Sequence, residues 1–112
     1  MPAQTQSLLE QYASGIHRLY GNDLNSVILY GSYARGDFHE DSDIDVMILL
    51  NLSNEGVVET RGRVWDYTYD FNMDNDTEIM PVIAGLEHFN YWREAYPFYK
   101  SIAQEGRKVY EA

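Results

Sequence analysis

The apolar positions of this chain fall into two periods, and the change from one to the other marks its elements. Across residues 4–20, Leu8, Leu9, Tyr12, Ile16, Leu19 and Tyr20 recur at helical spacing. They predict an amphipathic first helix that closes before Gly21-Asn22-Asp23, with His17 on its polar, solvent side and without a role. Residues 27–30 and 46–50 are instead short continuous apolar runs, of the length and composition of strands inside a sheet, and residues 24–26 lead into the first of them. Residues 51–56 are polar with a glycine, a loop signal. Residues 57–75 carry Val57, Val58, Val64, Trp65, Thr68, Tyr69 and Phe71 in a mixed pattern. The β-branched and aromatic content would also suit a strand at 64–71, but the crossover that a parallel strand pair requires makes a helix over the sheet the expected element.

Residues 77–83 predict a third strand, and Pro81 places it at a sheet edge or at the end of regular pairing. A short helix follows at 86–96 with His88, Phe89, Tyr91, Trp92 and Tyr96 as an aromatic face. Pro97 suits the first position of a further helix, where its missing N–H would be unpaired anyway. That helix runs through Phe98, Ile102 and Ala103 to a stop at Gly106, and Lys108, Val109 and Tyr110 make a last short extended piece. Strands alternating with helices indicate an α/β chain. No repeat, linker or low-complexity stretch interrupts it, so residues 1–112 read as a single domain.

The chemistry concentrates between the first two strands, in VILYGSYARGDFHEDSDIDVMILL. Gly31 allows a sharp turn and a close backbone approach, Ser32 offers a hydroxyl, and the residues after it can open a helix with free N–H groups, which together make an anion cradle. Asp43 and Asp45, one residue apart at the mouth of the second strand, should project from one face, since strand side chains alternate. Two carboxylates so close repel unless a cation lies between them. A hard divalent ion on a carboxylate pair, its shell completed by substrate phosphates, is the magnesium arrangement of phosphoryl and nucleotidyl transfer. The site would therefore hold a nucleoside triphosphate and its metal together. Arg35 beside the cradle either pairs with nearby acids or takes a supporting role, holding the loop or touching phosphate. Tyr33 packs the turn or faces solvent, the loop at 37–41 is acidic and solvated, and Asp41 and Ser42 shape the turn into the strand.

Gly31-Ser32-Tyr33-Ala34-Arg35-Gly36 followed by Ser42-Asp43-Ile44-Asp45 resembles the GS-x-ARG … SD-x-D signature of the minimal nucleotidyltransferases of the DNA polymerase beta superfamily. The resemblance extends to PFYKSIAQEG near the C-terminus, which is similar to the last element of many members. It implies a DNA polymerase beta-like fold, an α/β (α+β) arrangement with a small mixed sheet and flanking helices, and it supports the helix at 57–75. It implies a third carboxylate from the third strand facing the Asp-x-Asp pair. Glu78 is the residue expected there, longer than the usual aspartate; Asp76 is the alternative, with Asp66 and Asp70 behind it and a merely exposed Glu78 as the plain reading. Asp43, Asp45 and Glu78 would then hold two Mg²⁺ ions, and Gly31 and Ser32, with Arg35, would bind the phosphates of ATP or another nucleoside triphosphate. Nucleoside monophosphate would pass to a hydroxyl acceptor.

Charge narrows the acceptor. Eight basic residues against eighteen acidic ones give a net charge of −10, which argues against a grip on duplex nucleic acid. A small acceptor or a basic protein acceptor fits better, although solubility alone also accounts for the charge. Members of the resembled family at this size lack the extra helical domains that bind acceptors in larger relatives, and many act as antitoxins that nucleotidylate a small helical HEPN toxin, commonly with AMP on a tyrosine. A HEPN-type partner is the expectation here. The alternatives are a catalytically weak module that binds nucleotide or covers a partner, and a small-molecule transferase acting on a cationic aminoglycoside. Most of the ten tyrosines read as half-buried core and rim residues, while Tyr91, Trp92, Tyr96 and Tyr99 could stack a base or form a partner or homo-oligomer surface. Without cysteines there is neither disulfide nor thiolate zinc site, and without an apolar span or leader the chain reads as a cytoplasmic protein with no membrane partner.

Overall fold

The computed structural model describes residues 3–112. Helix α1 (Ala3–Tyr20) leads through a 3-10 turn (Gly21–Asp23) into β1 (Leu24–Tyr30). A single helical turn, α2 (Ser32–Arg35), precedes β2 (Ile44–Leu50), and the long helix α3 (Asn54–Asn75) then carries the chain to β3 (Ile79–Gly85). Helices α4 (Leu86–Trp92) and α5 (Pro97–Glu105) and strand β4 (Arg107–Glu111) complete it. The sheet runs β3-β2-β1-β4, with β2 and β3 parallel and β1 antiparallel to both its neighbours. This is the mixed sheet with flanking helices expected of the fold.

The strand period of two sorts the side chains onto two covered faces. Val27 and Leu29 of β1, with Ile44, Val46, Ile48 and Leu50 of β2, pack beneath Leu9, Tyr12 and Ile16 of α1 and Val57 and Val64 of α3. Ile28, Met47, Leu49 and Ala84 face the other way, onto Phe89 of α4 and Ile102 of α5. Residues 27–29 and 46–50 are continuously apolar because both faces of the central strands are buried there. Tyr12 carries its hydroxyl into the α1–α3 contact and meets the buried Thr68 at 2.7 Å, which satisfies both.

Several boundaries differ from the sequence reading. Residues 24–26 belong to β1, where Leu24 pairs with Leu50 and Ser26 with Leu49. Helix α3 starts within the expected loop, because the Ser53 side chain accepts from Gly56 N–H at 3.2 Å and caps it. At 64–71 the chain is helical, with its β-branched and aromatic residues divided between the buried face and solvent. The third strand begins two residues later than predicted and runs to Gly85, and it lies at the sheet edge, as Pro81 requires. Helix α5 opens on Pro97 and stops at Gly106 as expected, yet Gly106 is extended rather than left-handed. A Cβ there would come within 2.5 Å of the Ile102 carbonyl and of the Ile28 side chain, so close approach is what demands glycine.

Candidate active site

The ends of β1 and β2 make one corner. Register places Tyr30 opposite Asp45, and the chain then turns at Gly31 with φ 75° and ψ −154°, a region essentially closed to residues with a Cβ. A Cβ on Gly31 would also meet the Asp45 Oδ2 at 2.5 Å. Turn and carboxylate are therefore built against each other. The Gly31 carbonyl accepts from the N–H groups of Ala34 and Arg35, both at 3.1 Å, which closes the single turn of α2 and leaves the Ser32 and Tyr33 amides leading it. Tyr33 stacks on Phe38 with centroids 4.3 Å apart, so it packs the turn. Ser42 accepts from the His39 N–H at 2.9 Å and shapes the approach to β2, as expected.

Burial, followed by the charge of Asp43, holds the Asp45 carboxyl above its ordinary range, with Arg35 opposing both. The donor set fits a hard divalent cation, which would remove that repulsion and needs only oxygen ligands. The same Asp45 contributes, after burial, to pushing the Tyr30 hydroxyl up to about 12. Arg35 forms two ion pairs, to Asp37 at 3.2 Å and to Glu105 at 3.1 Å, and so ties α2 to the end of α5. These are the pairings with nearby acids that the sequence also allowed for Arg35.

Glu78 lies at the entry to β3 rather than within it. It stands one residue before β3 and is exposed, and its backbone carbonyl accepts from the Ile44 N–H at 2.9 Å. That bond sets it beside Asp43. A hydrogen bond with Asp43, then the charge of Asp43, raises the Glu78 carboxyl above its usual range, with desolvation, Asp41 and Asp76 adding to the effect. The structure thus brings Asp43 to both Asp45 and Glu78, while among the described residues no three acidic or histidine side chains gather closely enough to hold one ion. Asp76 is the left-handed C-cap of α3, with φ 53°, and Asp66 and Asp70 are exposed on that helix.

One positioning residue carried no sequence signal. Asn72, in the last turn of α3, accepts from Ile79 N–H at 2.9 Å and donates to the Ile79 carbonyl at 3.1 Å, as a strand neighbour would. It also accepts from the Thr77 hydroxyl at 2.9 Å, and so brackets Glu78 on both sides. Next to this bracket lies a cleft of about 690 Å³ lined by Tyr33, Asp41, Ile44, Met73, Asp76 and Glu78 among others. Gly31 and Ser32, both half-buried, do not line it. The aromatics of α4 and α5 form a chain in which Trp92 stacks on Tyr96 with centroids 5.0 Å apart. The aromatic that reaches the carboxylate corner is a different one, Phe98, edge-on to Tyr30 at 5.6 Å.

The family model for the nucleotidyltransferase domain matches residues 9–109. The chain belongs to that family. Two relatives in Methanocaldococcus jannaschii carry the name "Putative protein adenylyltransferase". The first, MJ0604, is 26% identical over 105 residues, covering 94% of this chain and 97% of its own. The second, MJ0141, is 30% identical over 76 residues, covering 68% of this chain and 75% of its own. Among solved structures, a Sulfolobus solfataricus protein described as "a putative nucleotidyltransferase" superimposes with a TM-score of 0.65 at 16% identity, over 96% of this chain and 81% of that one. A toxin-antitoxin solved with AMP-PNP superimposes with a TM-score of 0.59 at 22% identity, over 92% of this chain and 73% of that one. These structures share the fold of this nucleotidyltransferase domain. No helix of the described residues is long and apolar enough to cross a membrane.

Proposed function

We propose that this nucleotidyltransferase domain moves AMP from ATP to a hydroxyl of a partner protein, with a HEPN-type toxin as the expected acceptor and an antitoxin role as the consequence. The observation that carries this reading is the corner in which the Asp45 carboxylate lies against the positive-φ turn at Gly31. The closeness of the two aspartates to this turn supports reading them as a cation-binding pair beside a phosphate cradle. The acceptor class is supported by the names of the M. jannaschii relatives and by the toxin-antitoxin solved with AMP-PNP.

Asp43 and Asp45 would hold Mg²⁺, with Glu78 reaching it through Asp43. When bound, the ion supplies charge neutralisation to the phosphates and eases loss of the acceptor's proton. Ser32 and the amides leading α2 bind the β and γ phosphates and orient them so that pyrophosphate can leave in line. The acceptor oxygen forms a bond to the α-phosphorus, the bond to pyrophosphate breaks, and the proton passes to Glu78, the exposed carboxylate beside Asp43. Arg35 keeps α2 in place. Asp43→Asn should lower transfer of label from ATP to the acceptor at least a hundredfold with an unchanged circular dichroism spectrum, whereas retained transfer would remove the pair from the mechanism.

A second reading has one observation in its favour, the separation of the third carboxylate from a common three-ligand cluster. On it the domain binds nucleotide and neutralises a partner by covering it. Inhibition of the partner at one-to-one stoichiometry without ATP would favour that reading.

A further inference from the structure

Helix α3 is apolar on two sides, and one of them is uncovered. Val57, Val64 and Thr68 are buried against the sheet. At about 100° per residue, Val58, Gly62, Trp65, Tyr69 and Met73 fall in one line roughly a third of a turn round from the buried residues. Val58 is 56% exposed, Trp65 45%, Tyr69 67% and Met73 69%. A row of exposed acids, Glu55, Glu59, Asp66, Asp70 and Asp74, runs along one flank of that line. None of the five forms an ion pair among the described residues. Gly62, in the middle, meets nothing within 4 Å of where a Cβ would stand, so nothing in the fold calls for glycine there. It leaves a bare notch between Val58 and Trp65 into which another backbone can settle. The line ends at the cleft that holds Glu78, which Met73 also lines.

We propose that this face of α3 is the docking surface for the acceptor protein, and that its occupant is a basic amphipathic helix. Apolar side chains one turn apart seat along Trp65, Tyr69 and Met73, and lysines or arginines beside them meet the acidic row. Charge decides between occupants. Helix α3 carries five acids against Arg61 and Arg63, on a chain of net charge −10, so a second copy would set acid against acid. A basic helix gains on both counts. Seated there, it delivers the segment beyond its end to the cleft beside Asp43 and Glu78. This inference rests on the protein-acceptor reading and adds the surface and the partner chemistry to it.

The probe is a synthetic amphipathic helix of leucine and lysine, compared with the same peptide carrying glutamate for lysine. The chain has two tryptophans, so Trp92→Phe leaves Trp65 as the reporter. The lysine peptide should give a saturable blue shift of Trp65 fluorescence and bind at least tenfold more tightly than the glutamate peptide. Tyr69→Ser, or Asp66→Lys with Asp70→Lys, should weaken it at least fivefold with ATP affinity unchanged. Absence of a saturable shift, equal binding of both peptides, or indifference to these substitutions would overturn the proposal. So would a dimer in sedimentation that Tyr69→Ser dissolves, which would assign the face to a second copy. Asp43→Asn separates the two readings: it should keep peptide binding while losing transfer, and full acceptor labelling by Tyr69→Ser would overturn the docking surface while leaving the reaction in place.

Discussion

Asp45 stands in the fold at an energetic cost that its chemistry requires. Its folded carboxyl is raised by burial and by Asp43, so the folded state binds the proton more tightly than the unfolded one. Stability on this account is fully present below the unfolded pKa, falls as pH rises through the unfolded and then the folded pKa, and stays reduced at neutral pH. Asp45→Asn should therefore melt higher than the wild type at pH 7, with the advantage disappearing in acid; calorimetry across that range checks it, and an equal advantage at all pH values would count against the charge argument. Added Mg²⁺ should raise the melting temperature of the wild type and leave that of Asp45→Asn nearly unmoved. Gly31→Ala tests the other half of the corner. With φ at 75° and a Cβ 2.5 Å from the Asp45 oxygen, it should cost about 1–3 kcal/mol in denaturant unfolding and displace the carboxylate, lowering transfer further than the stability loss explains.

At the scale of elements, the site depends on where β3 begins, and Asn72 decides that. Its side chain supplies hydrogen bonds to Ile79 and Thr77 that no neighbouring strand could supply at the sheet edge. Asn72→Ala removes three half-buried bonds, a loss of about 2–3 kcal/mol in urea unfolding at roughly 1 kcal/mol each, and frees the segment carrying Glu78. Transfer should fall with it, while Asn72→Asp, which puts an acceptor against the Ile79 carbonyl, should be no better than Ala. This also explains what the sequence made legible. Gly31, Ser32, Asp43 and Asp45 lie within one strand-turn-strand unit, where periodicity and local turn chemistry act over a few residues, and the structure holds them together as that pattern predicts. The position of Glu78 depends on a side chain at the end of a different element, and no period records such a bond. The start of α3 was hidden in the same way, since polar residues after a strand read as loop until Ser53 is seen to cap Gly56. Gly62 carries a prediction of its own. In an exposed helix interior Gly62→Ala should raise stability by about 1 kcal/mol, while filling the notch that the partner helix is proposed to use.

Over the whole molecule, charge and apolar surface point the same way. Acid predominates by ten charges, and the aromatic stripe of α3 leads to the cleft that holds Glu78. On the proposed function, such a molecule suits a macromolecular acceptor brought by a basic surface, with the nucleotide held at the carboxylate corner until it arrives. The most direct test labels ATP at the α-phosphorus in one reaction and at the γ-phosphorus in another, with Mg²⁺ and a HEPN-type partner, and follows the partner by denaturing gel and intact mass. The account predicts label on the partner from the α-phosphorus alone, a mass gain of one AMP per modified hydroxyl, and loss of both in Asp43→Asn. Label from the γ-phosphorus, or modification that survives Asp43→Asn, would contradict it.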